Sequence, residues 1–335
     1  MYTNDNYKQA LKILQTSAGV DFGKLYDYDL NDKAIIFDRF YNFCQVNLTD
    51  HCTEYNIQPA MIYYSPEFGV NAKAYKKNNY FLIEIFMGLV IKMYDHFYNY
   101  NEAFDVDQAL KDKYVKLFEN DMHPGFLMYQ IATQFTYYHE LAHLIQRSPL
   151  LVQTLEEEYL HTPVPTFDMT RHLLEFDADM HGAHYICFHV IEYWKKLDAD
   201  KKTSESFNSL MALSVSAILT YFTFLEGRET SLYYEDKHHP HPIIRITYLM
   251  DIMIGVVAQN MPELELDPKQ ILLEAFDISE RFAIANNKPD PIKRYSALFI
   301  SEHEDITAYV NKLIELSNSI PYLVKNRFND NGLPK

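Results

Sequence analysis

The sequence predicts an α+β fold that is mostly α, a set of buried and amphipathic helices around a small sheet. Three observations predict it. Apolar residues recur three and four apart through most of the chain, the period of a helix face. One short run rich in β-branched and aromatic residues, Tyr80 to Phe86 (YFLIEIF), breaks that rhythm and stops at Gly88, as a strand does. Hydrophobic residues make up 48% of the 335, enough to bury a sizeable core and too many for a disordered chain.

Taken in order, helical spacing covers 5–17 and 33–48. The region 57–90 is less regular and holds the strand at 80–86. A long apolar helix is predicted over 126–147. A proline-marked loop follows, with Pro149, Pro163 and Pro165 around the acidic run Glu156 to Glu158. Helices come next near 169–196 and 206–226, then a loop over 227–242 carrying His238, His239 and His241, and a helix near 243–258. A connector at 259–268 leads to helices near 269–286 and 302–318. The chain therefore divides into a helical N-terminal extension (1–60) packed on a core (61–258), and a helical C-terminal region (259–335). The stretch Ser206 to Leu225 carries no charge but includes Asn208, Ser209, Ser214, Ser216, Thr220 and Thr223. So many polar groups suit a buried core helix rather than a membrane span, and no membrane insertion is expected.

The formal net charge is −16, which argues against nucleic acid as a partner and against an anionic membrane surface. Three cysteines, Cys44, Cys52 and Cys187, form no disulfide framework and no CxxC pattern. The first residues lack a basic-then-apolar leader, and with the cysteines this points to a reducing, cytoplasmic setting.

The chemistry is concentrated in His139-Glu140-Leu-Ala-His143, an HExxH pattern inside the 126–147 helix. Residues four apart share a helix face, so both imidazoles can grip one cation while Glu140 reaches a water bound to it. Ionisable groups inside so apolar a helix need partners, and one zinc ion supplies them. A catalytic zinc needs a third protein ligand. A histidine six residues after His143 is excluded, because that position is Pro149. Asp177 and Asp179 are candidates, and so is Glu175. Glu175 is preferred: Asp179 lies four residues further on the same helix face and can orient a ligating imidazole. His172, His181 and His184 around this segment are read as supporting residues.

HELAH at 139–143 followed by ExxxD at 175–179 resembles the gluzincin metallopeptidases, and more narrowly the group of HtpX and the zinc-dependent CAAX prenyl proteases. Two flanking segments carry the narrower likeness. Upstream, Asn71-Ala72 precedes the strand and Gly88-Leu89. Downstream, His239-Pro240 and Arg245-Ile246 match a His-Pro, Arg-Ile pattern. The resemblance implies a zincin-like core. In that core the strand with Ile83 and Ile85 is the sheet edge along the cleft, and Asn71, Ala72, Ile83 and Ile85 meet an extended peptide. It also implies that His239 and Arg245 face the developing oxyanion, with His241 as an alternative to His239. Relatives often span membranes and separate their ligands further, so membrane roles and prenylated substrates are not carried over.

These readings converge on a zinc-dependent endopeptidase acting on protein or peptide substrates. Glu140 is then the general base for a zinc-activated water. The segment 149–170 is expected to rim the cleft. The alternatives are a silent or latent metal-binding scaffold of the same fold, and a zinc hydrolase of non-peptide amides.

Overall fold

The sheet forms where helical spacing gives way. In the computed structural model the described residues are 5–98, 102–105, 107–115, 117–118, 123–148, 168–226, 231–237, 239–286, 291–320 and 323–324. Three strands, β1 (Ala60–Ser65), β2 (Ala72–Lys77) and β3 (Tyr80–Phe86), pair in the order β1-β3-β2. β3 runs parallel to β1 and antiparallel to β2. Asn78 and Asn79 both take positive φ, +47° and +67°, the left-handed pair that a two-residue hairpin turn requires.

This order corrects the expectation for 80–86. That strand is the centre of the sheet, and among the described residues the edges are β1 and β2. Register explains the fully apolar run. Ile83 sits between Ile62 and Ala74, and Ile85 between Tyr64 and Ala72, which puts all six on one face. Ile83 and Ile85 are wholly buried there, so neither can meet a substrate as expected. Asn71 and Ala72 do lie at an edge, at the start of β2, where the Ala72 N–H donates to Asn71 Oδ1 at 2.9 Å.

Two helices precede the sheet, α1 (Asp5–Thr16) and α2 (Ala34–Glu54). They are tied to β1 by buried aromatics: Tyr64 N–H donates to the Tyr7 hydroxyl at 3.0 Å, and Tyr64 OH donates to the Phe37 carbonyl at 2.8 Å. The sheet leads directly into α3 (Met87–Tyr98). Gly88 is needed at that junction, since a Cβ there would lie 2.2 Å from the Phe68 carbonyl oxygen. Short helices α4 (Glu102–Asp105) and α5 (Gln108–Val115) follow.

The central helix is α6 (Pro124–Gln146), capped by His123, with Pro124 in the first turn. It is buried along most of its length between β2, α3, α7 (Met169–Lys196) and α8 (Ser204–Glu226). Gly182 of α7 lets α6 approach closely, because a Cβ there would lie 2.9 Å from Phe135 Cε2. Trp194, the single tryptophan, lies near the far end of α7 against Phe207 of α8. Four more helices close the core: α9 (Pro242–Asn260), α10 (Pro268–Ala285), α11 (Pro291–Ser301) and α12 (His303–Asn318).

Among the described residues two helices are long and apolar enough to cross a membrane, Ser204–Leu225 and Pro242–Asn260, and both are mostly buried within the protein. In α8 the hydroxyls are satisfied internally: Ser214 donates to the Leu210 carbonyl at 2.8 Å, and Ser216 pairs with Ser279 of α10 at 2.7 Å.

Candidate metal centre

Two helices build the centre, α6 from one side and α7 from the other. His139 and His143 lie one turn apart on α6, and Glu175 projects from the second turn of α7. The coordinating atoms of these three all lie within 4.8 Å of one another. The two Nε2 atoms are 3.1 Å apart. Glu175 Oε2 is 3.3 Å from the first, and Oε1 is 3.4 Å from the second. Asp177 and Asp179, weighed as third ligands, are engaged elsewhere.

What stands behind each imidazole decides what its Nε2 can do. His139 Nδ1 faces Asp179 Oδ1 at 2.9 Å, so Nδ1 carries a hydrogen. His143 Nδ1 faces Gln146 Oε1 at 2.9 Å. The amide orientation is fixed by its other end, since Gln146 Nε2 donates to the Leu174 carbonyl at 3.0 Å and to Asp177 Oδ2 at 2.8 Å. A flipped amide would set its oxygen against two acceptors. His143 Nδ1 is therefore a donor too. With both rings neutral, two Nε2 lone pairs and a carboxylate then converge with no hydrogen between them. Glu175 Oε2 is buried with no hydrogen-bond donor in proper geometry. Such a group of bases repels itself unless a cation sits among them, and two imidazoles with one carboxylate are a fitting donor set for a divalent metal.

Without a metal the site holds a proton instead. Burial pushes the His139 imidazole down, but Asp179 and Glu175 more than offset this and raise it to about 10. Burial would raise the Glu175 carboxyl, yet His239, His143 and His139 hold it well below the usual carboxylate range. A metal must displace the His139 proton to reach Nε2.

Asp179 is itself held from behind. Arg245 of α9 donates from Nε to Oδ2 at 2.8 Å and from Nη2 to Oδ1 at 2.6 Å, and Tyr248 also donates its hydroxyl to Oδ2. The guanidinium lies 3.9 Å from the centre of the Phe222 ring. Burial opposes the Asp179 charge, but Arg245 and His139 bring its carboxyl down to about 2.

This corrects the role expected for Arg245. It is 2% exposed and bound to Asp179 behind the imidazole, so it does not face a developing oxyanion. His241 is corrected as well: its Nδ1 accepts from the Ile243 N–H at 3.1 Å and caps α9. His239 does reach the site, with Nδ1 3.0 Å from Glu175 Oε2 and half its side chain exposed. Glu140 is buried beside the ligands on α6, close enough for its charge to be felt by Tyr221. His172 is a strut: its Nδ1 meets Tyr309 OH at 3.0 Å and its Nε2 the Lys237 carbonyl at 2.6 Å, which anchors the loop before His239.

Sequence reasoning missed Gln146 and Tyr248. Both were open to the spacing argument, as each lies three residues after a residue it supports or joins, His143 and Arg245 respectively. The rim segment 149–170 falls outside the described residues except at Asp168 to Thr170, where Asp168 caps α7 by accepting from the Thr170 N–H at 2.9 Å. His238 also lies outside them. No protein family, curated protein or solved structure compared with this chain matches it.

Proposed function

We propose that the chain is a zinc-dependent endopeptidase of the gluzincin kind, acting on peptide or protein substrates. The observation that carries this reading is the convergence of His139 Nε2, His143 Nε2 and the Glu175 carboxylate, with an HExxH glutamate on the same helix. Zinc bound there would supply Lewis acidity toward a water and a carbonyl oxygen. Glu140, the residue after His139, is the base that takes the water's proton and passes it to the leaving amine. His239, with Nδ1 3.0 Å from Glu175 Oε2 and half its side chain exposed, stands at the rim, where its ring in the protonated form would face the oxyanion. Arg245 acts at one remove: it fixes Asp179, which fixes the His139 tautomer. An extended substrate would add to β2, an edge strand among the described residues, beginning at Asn71 and Ala72.

The test joins metal analysis to an unbiased proteome-cleavage assay on the native chain and Glu140→Gln. We expect one zinc per chain in both, with turnover lower by about 10²–10⁴-fold in the variant. A native chain that takes up no zinc, or a variant that cleaves as fast as the native chain, would overturn the reading.

A further inference from the structure

Leu323 and Val324, near the end of the chain, are almost completely buried. The Val324 N–H donates to Asp177 Oδ2 at 2.8 Å, across 147 positions of sequence. The same oxygen accepts from Gln146 Nε2 at 2.8 Å. Gln146 in turn presents Oε1 to His143 Nδ1 at 2.9 Å. A continuous line of hydrogen bonds therefore runs from the backbone of the C-terminal segment to a ring whose far nitrogen faces the metal position. Every member before the ring is buried: Asp177 is 0% exposed, Gln146 3% and Val324 1%.

We propose that the C-terminal segment at Leu323–Val324 is a working part of the metal centre. Its docking positions His143 through Asp177 and Gln146, so tail docking and metal binding stabilise each other. The chemistry of the line supports this. Asp177 is a buried carboxylate, and charge-assisted donors such as the Val324 N–H are the strong kind of hydrogen bond. A carboxylate that loses one of them is held less firmly in place. Gln146 then keeps only the Leu174 carbonyl as a firm acceptor for its NH₂, which lowers the cost of flipping the amide toward His143. A flipped amide offers His143 Nδ1 a donor, which favours the tautomer with hydrogen on Nε2, the one that cannot bind a cation. Asp177 and Gln146 are positioning residues in this scheme, since neither reaches the metal position.

The inference rests on the zinc-site reading, and the experiment separates the two. Zinc affinity is measured by competition with a chromophoric chelator for the full chain, Val324→Pro, Val324→Ala, Gln146→Ala and the Val324→Pro/Gln146→Ala double variant. Proline removes the N–H and alanine keeps it. We expect Val324→Pro and Gln146→Ala each to weaken zinc binding about 10-fold or more, the range typical of residues that support metal ligands. Val324→Ala should stay near native affinity, and the double variant should be little worse than Gln146→Ala alone. Native affinity in Val324→Pro, or full additivity in the double variant, overturns the proposal. Failure of the native chain to bind zinc overturns the earlier reading instead.

A second measurement needs no substitution. Coupling is reciprocal, so zinc must hold the tail as much as the tail holds zinc. In the native chain, hydrogen exchange at the Val324 amide is expected to slow on zinc addition by about the same 10-fold factor. An unchanged exchange rate in a chain that binds zinc would also overturn the proposal.

Discussion

The two imidazoles of the centre look alike in sequence and are supported in opposite ways. His139 leans on a charge: Asp179, fully buried, is clamped by Arg245 and Tyr248. His143 leans on a neutral amide, Gln146, and is the more exposed ring, with 18% of its side chain accessible against 7% for His139. The first arrangement binds whatever positive species is available, proton or metal. The second only selects a tautomer. The difference teaches that a charged support on one flank lets its ring hold a proton or a cation, while a neutral amide on the other flank fixes only the tautomer of its ring.

That contrast can be broken at several points. The largest effect is expected from Arg245→Ala, which leaves Asp179 buried without its counter-charge and should cost about 3–5 kcal/mol of unfolding free energy in denaturant titrations of the zinc-free chain. Gln146→Ala removes a buried amide from the other flank and should cost less, about 1–3 kcal/mol. Equal losses at the two positions would erase the distinction between the flanks.

The pH dependence of the zinc-free chain sharpens the comparison further. His139 is raised from an ordinary 6.5 to about 10 in the folded chain. A group raised by folding contributes stability that is whole below the unfolded value and lost as pH rises toward the folded one. Stability should therefore fall between roughly pH 6.5 and 10, by at most about 1.4 kcal/mol per pH unit for one proton. The zinc-loaded chain, which has no such proton, should lack this limb. Asp179 behaves in the opposite sense. Its carboxyl, depressed from an ordinary 3.8 to about 2, contributes above 3.8 and is lost as pH falls through 2. A zinc-free chain whose stability is flat from pH 7 to 10 would remove the charge from the His139 flank.

Much of the centre was legible in the sequence because it is local. His139 and His143 share a helix face by spacing alone, and Asp179 falls one turn after Glu175. The long helices were legible for the same reason, with α7 at the predicted bounds Met169–Lys196. What sequence could not give were choices between helices. Nothing in the spacing of His239 and Arg245 says that one stays on the rim while the other is drawn inward by a buried carboxylate on α7. The sheet was misjudged because an apolar run such as YFLIEIF fits an edge or a centre equally. Only pairing decides, and the neighbouring β2, AKAYKK, is polar enough to hide as a loop until the Asn78-Asn79 turn is noticed.

Trp194 stands at the other end of the helix that supplies Glu175, about 28 Å away at 1.5 Å per residue, buried edge-on against Phe207 with ring centres 5.8 Å apart. As the chain's single indole it is a built-in optical probe. Its emission should follow the melting of α7 as a whole, and at that range an ion arriving among the imidazoles would leave its colour untouched. Titrations of ion uptake and of unfolding can thus be recorded on the same sample without an added dye and without one signal contaminating the other.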